Sequence, residues 1–246
     1  MPSYDEIGRN YAEYRREDPS IRDAILSAID GCELILNVGA GAGSYEPTDR
    51  QVTAVEPSAV MRAQRPTDRG PAIDAGAQDL PFADGSFDAA MSILSLHHWH
   101  PDQERGVSEM RRVAGRVVIV TVDPAVSGSL WLAEYLPEVA ALDRLTFPDP
   151  RAIATWIGEK VSIEVLPIGR DCEDWMLLSY WAHPERMLDA DARSATSGLA
   201  RQGPEVIDRA VTELAADLKS GEWDRRWGEL RKLDALDAGL RLIASN

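Results

Sequence analysis

Residues 34–44 read Leu-Ile-Leu-Asn-Val-Gly-Ala-Gly-Ala-Gly-Ser, a short apolar run closed by glycines at alternate positions, Gly39, Gly41 and Gly43. The run has the length and composition of a buried parallel strand. Glycine lets the chain turn sharply at its end and lets a ligand lie against the main chain, because no Cβ intervenes. Loops of this kind at the carboxyl ends of strands are where open α/β sheets bind nucleotide-like ligands. The dinucleotide fingerprint G-x-G-x-x-G is not met, since counting from Gly39 its last position falls on Ser44. The pattern present is G-x-G-x-G.

The flanking chain alternates between strand and helix signals. Asp18-Pro19 opens a helix through Ile21, Ile25, Leu26 and Ile29, with Asp18 as N-cap and Gly31 as its end. Strands are expected over Glu33–Val38, Val52–Val55, Phe87–Leu94 and Arg116–Val122, with helices over Ser58–Ala63 and Pro101–Val113. This alternation argues for an α/β protein with a parallel, doubly wound sheet. Beyond Asp123, helices are expected over Leu130–Leu142 and Pro150–Gly158, and a strand over Val161–Ile168. Residues 171–233 read as mostly helical, and Gly239–Ala244 as a final strand. A helical insertion of about sixty residues between the last two strands is the size of a lid or substrate cover.

The bulk composition narrows the partners. A chain of 246 residues suits one α/β domain with an elaboration. Its 41 acidic and 26 basic residues leave a net charge of −15, which repels phosphate backbones and anionic membranes. Nucleic acid and membrane are therefore not expected partners. Cys32 and Cys172 stand far apart without metal-type spacing, as in a reduced cytoplasmic protein. The first residues lack a signal-peptide pattern, and no apolar run reaches the length of a membrane span.

Further segments line up behind the glycine loop. Thr53-Ala54-Val55-Glu56-Pro57-Ser58 puts a carboxylate at the end of the second strand, where it can accept both hydroxyls of a ribose. Gly76-Ala77-Gln78-Asp79-Leu80-Pro81-Phe82 precedes Gly85-Ser86-Phe87-Asp88-Ala89-Ala90. Ser92-Ile93-Leu94-Ser95-Leu96-His97-His98-Trp99 and Glu109-Met110-Arg111-Arg112-Val113 follow. In this order and spacing, residues 4–125 resemble the class I S-adenosylmethionine (SAM)-dependent methyltransferases of the ubiquinone/menaquinone and trans-aconitate type.

The resemblance implies a Rossmann-like, doubly wound seven-stranded sheet with an antiparallel last strand and a helical lid insertion. Residues 1–246 would form a single methyltransferase domain, with 124–160 and 171–236 as helical cover segments over the substrate site. SAM would be the cofactor and a small molecule the methyl acceptor. The backbone of Gly39, Ala40, Gly41 and Gly43 would pass beneath the methionine and ribose portions, and Glu56 would hold the ribose diol. Pro57 and Met61 would flank the adenine, while Ala77, Gln78 and Asp79 address its edge. Leu94 and Ser95 would approach the sulfonium, and Tyr11 and Arg15 would close over the methionine carboxylate.

Three positions depart from the family pattern. Asn37 stands where the family has Asp or Glu, leaving an amide oxygen to accept from the methionine amine with less charge assistance. Gly76 occupies the usual Asp of the adenine loop. Only Ser44–Gln51 separate Gly43 from the second strand, with Pro47 among them, so the usual helix is expected to shrink to one turn. These departures also admit a second reading, a SAM-fold protein that binds the cofactor without methylating. An NAD-dependent oxidoreductase is disfavoured by the missing third dinucleotide glycine.

Methyl transfer from a sulfonium needs positioning and water exclusion, and a base only when the nucleophile carries a proton. His98, just past the third expected strand, is the candidate base, because histidine titrates in the useful range. The alternative is that it packs against Trp99 and holds the loop. His97, His98 and His100 do not suggest a metal site, since adjacent histidines on a short loop rarely chelate one ion. Trp131, Tyr135, Phe147 and Trp175 fall in or beside the cover segments and are candidate substrate-binding aromatics.

Overall fold

The computed structural model describes residues 14–245, so Tyr11 lies outside the described residues. The strands, in chain order, are β1 (Leu34–Val38), β2 (Gln51–Val55), β3 (Phe87–Ile93), β4 (Ala114–Val122), β5 (Val161–Val165), β6 (Ile168–Gly169), β7 (Ala235–Leu236) and β8 (Leu240–Ser245). One sheet has the order β2-β1-β3-β4-β8-β5, and β6 pairs with β7 apart from it. The pairs β1–β2, β1–β3 and β3–β4 are parallel, while β5 and β8 are antiparallel. β8 also runs against β4. Its far end meets the start of β4, where Val117 N donates to Ser245 Oγ (2.9 Å), and its first residues meet the end, where Arg241 pairs with Asp123 (3.4 Å). The strand order reverses between β1 and β3, the switch point at which such sheets take ligands.

The chain divides into two units. The sheet unit comprises residues 19–123 and 146–166 and the chain from Arg241 onward. Its helices α1 (Pro19–Ala28), α2 (Ala59–Ala63) and α3 (Gln103–Val113) form where expected, give or take two residues. α3 turns Val107, Met110 and Val113 into a core shared with Leu36, Val38, Val117 and Ile119 of the buried strands. Trp99 enters that core over Gly106, where a Cβ would lie 2.7 Å from its indole.

The sheet has six strands where seven were expected. What remains of the seventh is a single parallel bridge from Ile73 to Val55 at the β2 edge. The segment leading to it contains Pro66, Gly70 and Pro71, which favour turns and remove a ladder donor. The bridge still matters, because Glu56 N donates to Ile73 O (3.0 Å) and Ile73 N to Ala54 O (2.8 Å).

Among the described residues, the helical unit takes 14–18, 124–145 and 167–240. The helix expected over 130–142 is broken into Leu132–Tyr135 and Pro137–Thr146. Pro137 has no N–H and pushes Leu136 out of the helical region, to φ −130°, ψ 60°. Similarly, the strand expected over 161–168 stops at Val165, before Pro167, and β6 joins β7 instead. The unit's core gathers Trp131, Tyr135, Leu136, Val139, Tyr180, Leu199, Leu214 and Trp223 around the helix Pro204–Ser220. No described helix is long and apolar enough to cross a membrane.

One polar group sits poorly in this apolar setting. Asp143, on Pro137–Thr146, has its carboxyl pushed up to about 6 by burial, against a smaller opposing pull from Arg201. The folded chain therefore keeps this proton over a range in which the unfolded chain, near 3.8, has lost it. Stability should fall as pH rises from about 4 to about 6, by at most about 3 kcal/mol, and then level off. Asp143→Asn removes the ionisation. It should melt higher than the parent at pH 8 and nearly with it at pH 4, as read by circular dichroism. Equal melting at pH 8 would contradict the burial cost.

Candidate functional site

The glycine loop is clipped to the neighbouring strand as soon as β1 ends. Gly39 N and Ala40 N both donate to Val55 O at 3.0 Å. Gly39 has φ 69°, and a Cβ there would lie 2.0 Å from Ser95 Oγ and 2.8 Å from Ser95 Cβ. Ser95 follows β3, so the segments leaving β1 and β3 touch with no room for a side chain between them. Leu94, at φ 51°, makes the turn that delivers Ser95, and its N–H bonds to Val120 O (2.8 Å). Met61 is buried against the next glycine, its Cε 3.3 Å from where a Gly41 Cβ would stand.

Glu56 is buried at the end of β2. One carboxylate oxygen accepts from Gly41 N (2.9 Å) and the other from Ser58 N (2.8 Å). Ser58 in turn caps α2 through its hydroxyl, which accepts from Met61 N at 3.3 Å. Glu56 thus joins the glycine loop to the start of α2, a structural role that its position in the sequence did not suggest. A carboxylate has about four acceptor sites, so lone pairs remain for a ligand's hydroxyls.

Asn37 is buried, and its amide donates to Glu46 Oε1 at 2.9 Å. Its Oδ1 is buried and meets no donor. Glu46 is the residue that sequence reading passed over. It lies in the short connection after Gly43, which forms turns with Tyr45 at φ 64° and no helix at all, where one turn was expected. Arg65 fills part of the room thereby left, forking onto Glu46 at 3.0 and 2.8 Å, with the two side chains 4% and 3% exposed. Arg69 binds the backbone of the same connection, donating to Gly43 O (2.5 Å) and Glu46 O (2.9 Å). The only sequence hint was the absence of room for a helix.

A buried acceptor without a donor, a backbone cradle that excludes side chains and a carboxylate with spare lone pairs suit a ligand bearing an ammonium and a ribose. That is the chemistry of SAM, and the residues present fit it.

The remaining expected residues are distributed as follows. Ala77 is buried in the sheet core, Gln78 is partly buried with its amide 3.5 Å from Trp99 O, and Pro57 and Asp79 are exposed. His98 is half-buried in the 3-10 turn Leu96–Trp99, its N–H bonded to Ser95 O (2.9 Å). His97 stacks on Phe147 (ring centroids 4.4 Å apart) and meets the tilted ring of His98 (3.7 Å), so Phe147 backs the histidine pair.

In the helical unit, Arg15 is engaged in an ion pair with the buried Asp174 at 2.5 Å, with side-chain exposures of 12% and 2%. Trp131 and Tyr135 belong to that unit's core. Trp131 Nε1 donates to Trp181 O (3.0 Å) and the Tyr135 hydroxyl binds Asp217 (2.7 Å). Trp175 packs on Tyr14 and under the Arg186 guanidinium.

Because Glu46 neutralises Arg65 in the interior, Glu46→Ala should cost about 3–5 kcal/mol of stability by leaving that cation buried and unpaired. Replacing Glu46 and Arg65 together by Leu and Met should cost less than Glu46→Ala alone. Urea unfolding of the three variants checks the order. A double variant less stable than the single one would show that the pair is not what holds the loop.

Residues 36–119 match the model of the methyltransferase domain family. Over 96% of this chain and 100% of the other, the fold superposes with a TM-score of 0.88 and 29% identity on an Anabaena variabilis protein described as a methyltransferase from an antibiotic biosynthesis pathway. A phosphoethanolamine N-methyltransferase of Haemonchus contortus, solved with S-adenosylhomocysteine, shares 18% identity and a TM-score of 0.55 over 98% of this chain and 55% of its own. A geranyl diphosphate C-methyltransferase of Streptomyces coelicolor A3(2), also with S-adenosyl-L-homocysteine, shares 15% identity and a TM-score of 0.53 over 92% and 78%. These last two speak for the fold alone. The sheet order, the glycine loop and the family model agree: residues 36–119 carry a methyltransferase domain, and the chain has the fold and cofactor chemistry of a SAM-dependent methyltransferase.

Proposed function

We propose that the chain moves the methyl group of SAM to an oxygen, nitrogen or carbon of a small organic molecule. The observation that carries the cofactor half of this reading is the buried Oδ1 of Asn37, an acceptor beside the glycine loop that no protein donor reaches. Leaving such an acceptor unmet costs about 1–3 kcal/mol, which an ammonium donor offsets. A small acceptor is supported by whole-length likeness to the Anabaena protein and by the net charge of −15, which opposes polyanions.

In this reading each group has a task. Gly39, Ala40, Gly41 and Gly43 offer bare backbone beneath the methionine and ribose. Glu56 accepts the two ribose hydroxyls with the lone pairs that Gly41 and Ser58 leave open. Met61 and Pro57 border the adenine, with Ala77, Gln78 and Asp79 at its edge. Leu94 and Ser95 keep the segment after β3 close against the loop. When bound, SAM supplies a methyl group on a good leaving group, so the chain's part is to align the acceptor and exclude water. His98 takes the proton from a protic nucleophile. Arg15 is left out of this assignment, because Asp174 already neutralises its guanidinium.

Calorimetry with S-adenosylhomocysteine should show Glu56→Ala binding about 10–100-fold more weakly than the parent, the worth of one or two charge-assisted hydrogen bonds. Equal affinity would remove Glu56 from the ribose. With methyl-labelled SAM and a panel of phenols, amines and carboxylic acids, label should enter the low-mass fraction. Transfer only into added RNA or protein would overturn the small-molecule reading. On a protic acceptor, His98→Ala should lower kcat about 100-fold and abolish the acidic limb of the pH profile. An unaltered profile would make His98 structural.

A further inference from the structure

Arg15, Arg209, Arg226 and Arg231 of the helical unit each pair with a carboxylate. Arg186 has no such partner among the described residues, although it is half-buried. It lies in the 3-10 segment Pro184–Leu188. Its Nη1 donates to the main-chain oxygen (3.2 Å) and the hydroxyl (3.0 Å) of the buried Ser179. Its Cζ stands 4.3 Å from the centroid of the Trp175 ring, so the guanidinium rests on the indole. Two contacts of different kinds therefore hold the group in place.

What remains is the Nε–Nη2 edge. Neither nitrogen has a hydrogen-bond partner, and neither is among the buried side-chain atoms that lack one, so both reach solvent. These two nitrogens carry parallel N–H bonds, the fork that matches the two oxygens of a carboxylate. Arg15 shows the same edge in use, with its Nε and Nη2 on Asp174 at 2.5 and 3.4 Å. Burial pulls Arg186 below the usual arginine value, and Asp171 opposes this only through its charge, without a hydrogen bond. Trp175 and the Tyr14 ring packed on it are partly open as well, and offer apolar surface.

We propose that Arg186 binds the carboxylate of a small molecule on its Nε–Nη2 edge, with the molecule's apolar body against the open parts of Trp175 and Tyr14. Each carboxylate oxygen accepts one N–H in the guanidinium plane, while the indole keeps water from one face of the pair. A cation would be repelled, and a neutral amide would meet the fork without charge assistance. A phosphate dianion would bring a second charge to a single guanidinium near the acidic Asp171, on a chain of net charge −15. Nothing in this site depends on the chain's methylating anything.

The full chain is titrated with phenylacetate, followed by tryptophan fluorescence and calorimetry. Saturable binding at one site is expected, with Kd on the order of 1 mM or below. Phenylacetamide, which lacks the charge, should bind about tenfold more weakly, and phenyl phosphate more weakly than phenylacetate. Arg186→Met keeps a stem against Trp175 but removes the fork, and should weaken binding about tenfold or more. Arg186→Lys keeps the charge without the fork, and should weaken it a few-fold. Circular dichroism melts verify that both variants fold, and the ligand series on the parent stands without them. No saturable binding of phenylacetate overturns the proposal, as does equal binding of phenylacetamide or of phenylacetate to folded Arg186→Met. Parent-like binding by Arg186→Lys overturns the fork, and tighter binding of phenyl phosphate overturns the carboxylate. A parallel titration with S-adenosylhomocysteine keeps the two readings apart. Cofactor binding without phenylacetate binding removes the Arg186 site alone, and the converse removes only the methyl-transfer reading.

Discussion

A buried charge takes over in this chain what a helix usually does for a loop at the end of a strand. In βα units the first turn of the following helix satisfies and braces the backbone of the glycine loop. Here seven residues separate Gly43 from β2, and they form turns and bends. The brace is Glu46, held on one side by Asn37 and on the other by Arg65, with Arg69 on the adjoining carbonyls. Each charged partner would be costly alone in the interior, and together they hold one another. The acidic side chain missing at Asn37 is thus present in space, nine residues further along the chain. Asn37 anchors its amide on Glu46 and keeps a buried oxygen that no protein donor reaches.

Two other constraints shape the same loop. Ser95 lies where any Gly39 side chain would be, which ties the loop's path to the turn after β3. Glu56 draws Gly41 toward the start of α2. Both contacts are made within the chain, so the protein's own groups set the path of the cradle. Glu56 then serves two purposes that do not compete, because backbone amides occupy only half of its acceptor sites.

The sheet was legible because its signals are local. Apolar β-branched runs such as Val117–Val122 and periodic helices such as Gln103–Val113 need no knowledge of their neighbours. Prolines caused the visible misreadings. Pro137 split one helix, Pro167 ended one strand, and the Pro66–Pro71 stretch left Ile73 as the remnant of another. In the site, the glycines and Glu56 announced themselves by type and place, because nucleotide chemistry demands them there. Glu46, Arg65 and Arg69 did not. Their meaning lies in a void left by a shortened connection, and a void has no residue pattern. The aromatics of the helical unit suggested a substrate wall by composition, and Trp131 and Tyr135 pack there against Trp223 and Trp227.

Asp143 shows what the interior of the helical unit tolerates. A carboxylate raised to about 6 destabilises the folded chain at neutral pH, and an asparagine of the same shape would not. The cause is burial, and the charge of Arg201 offsets only part of it.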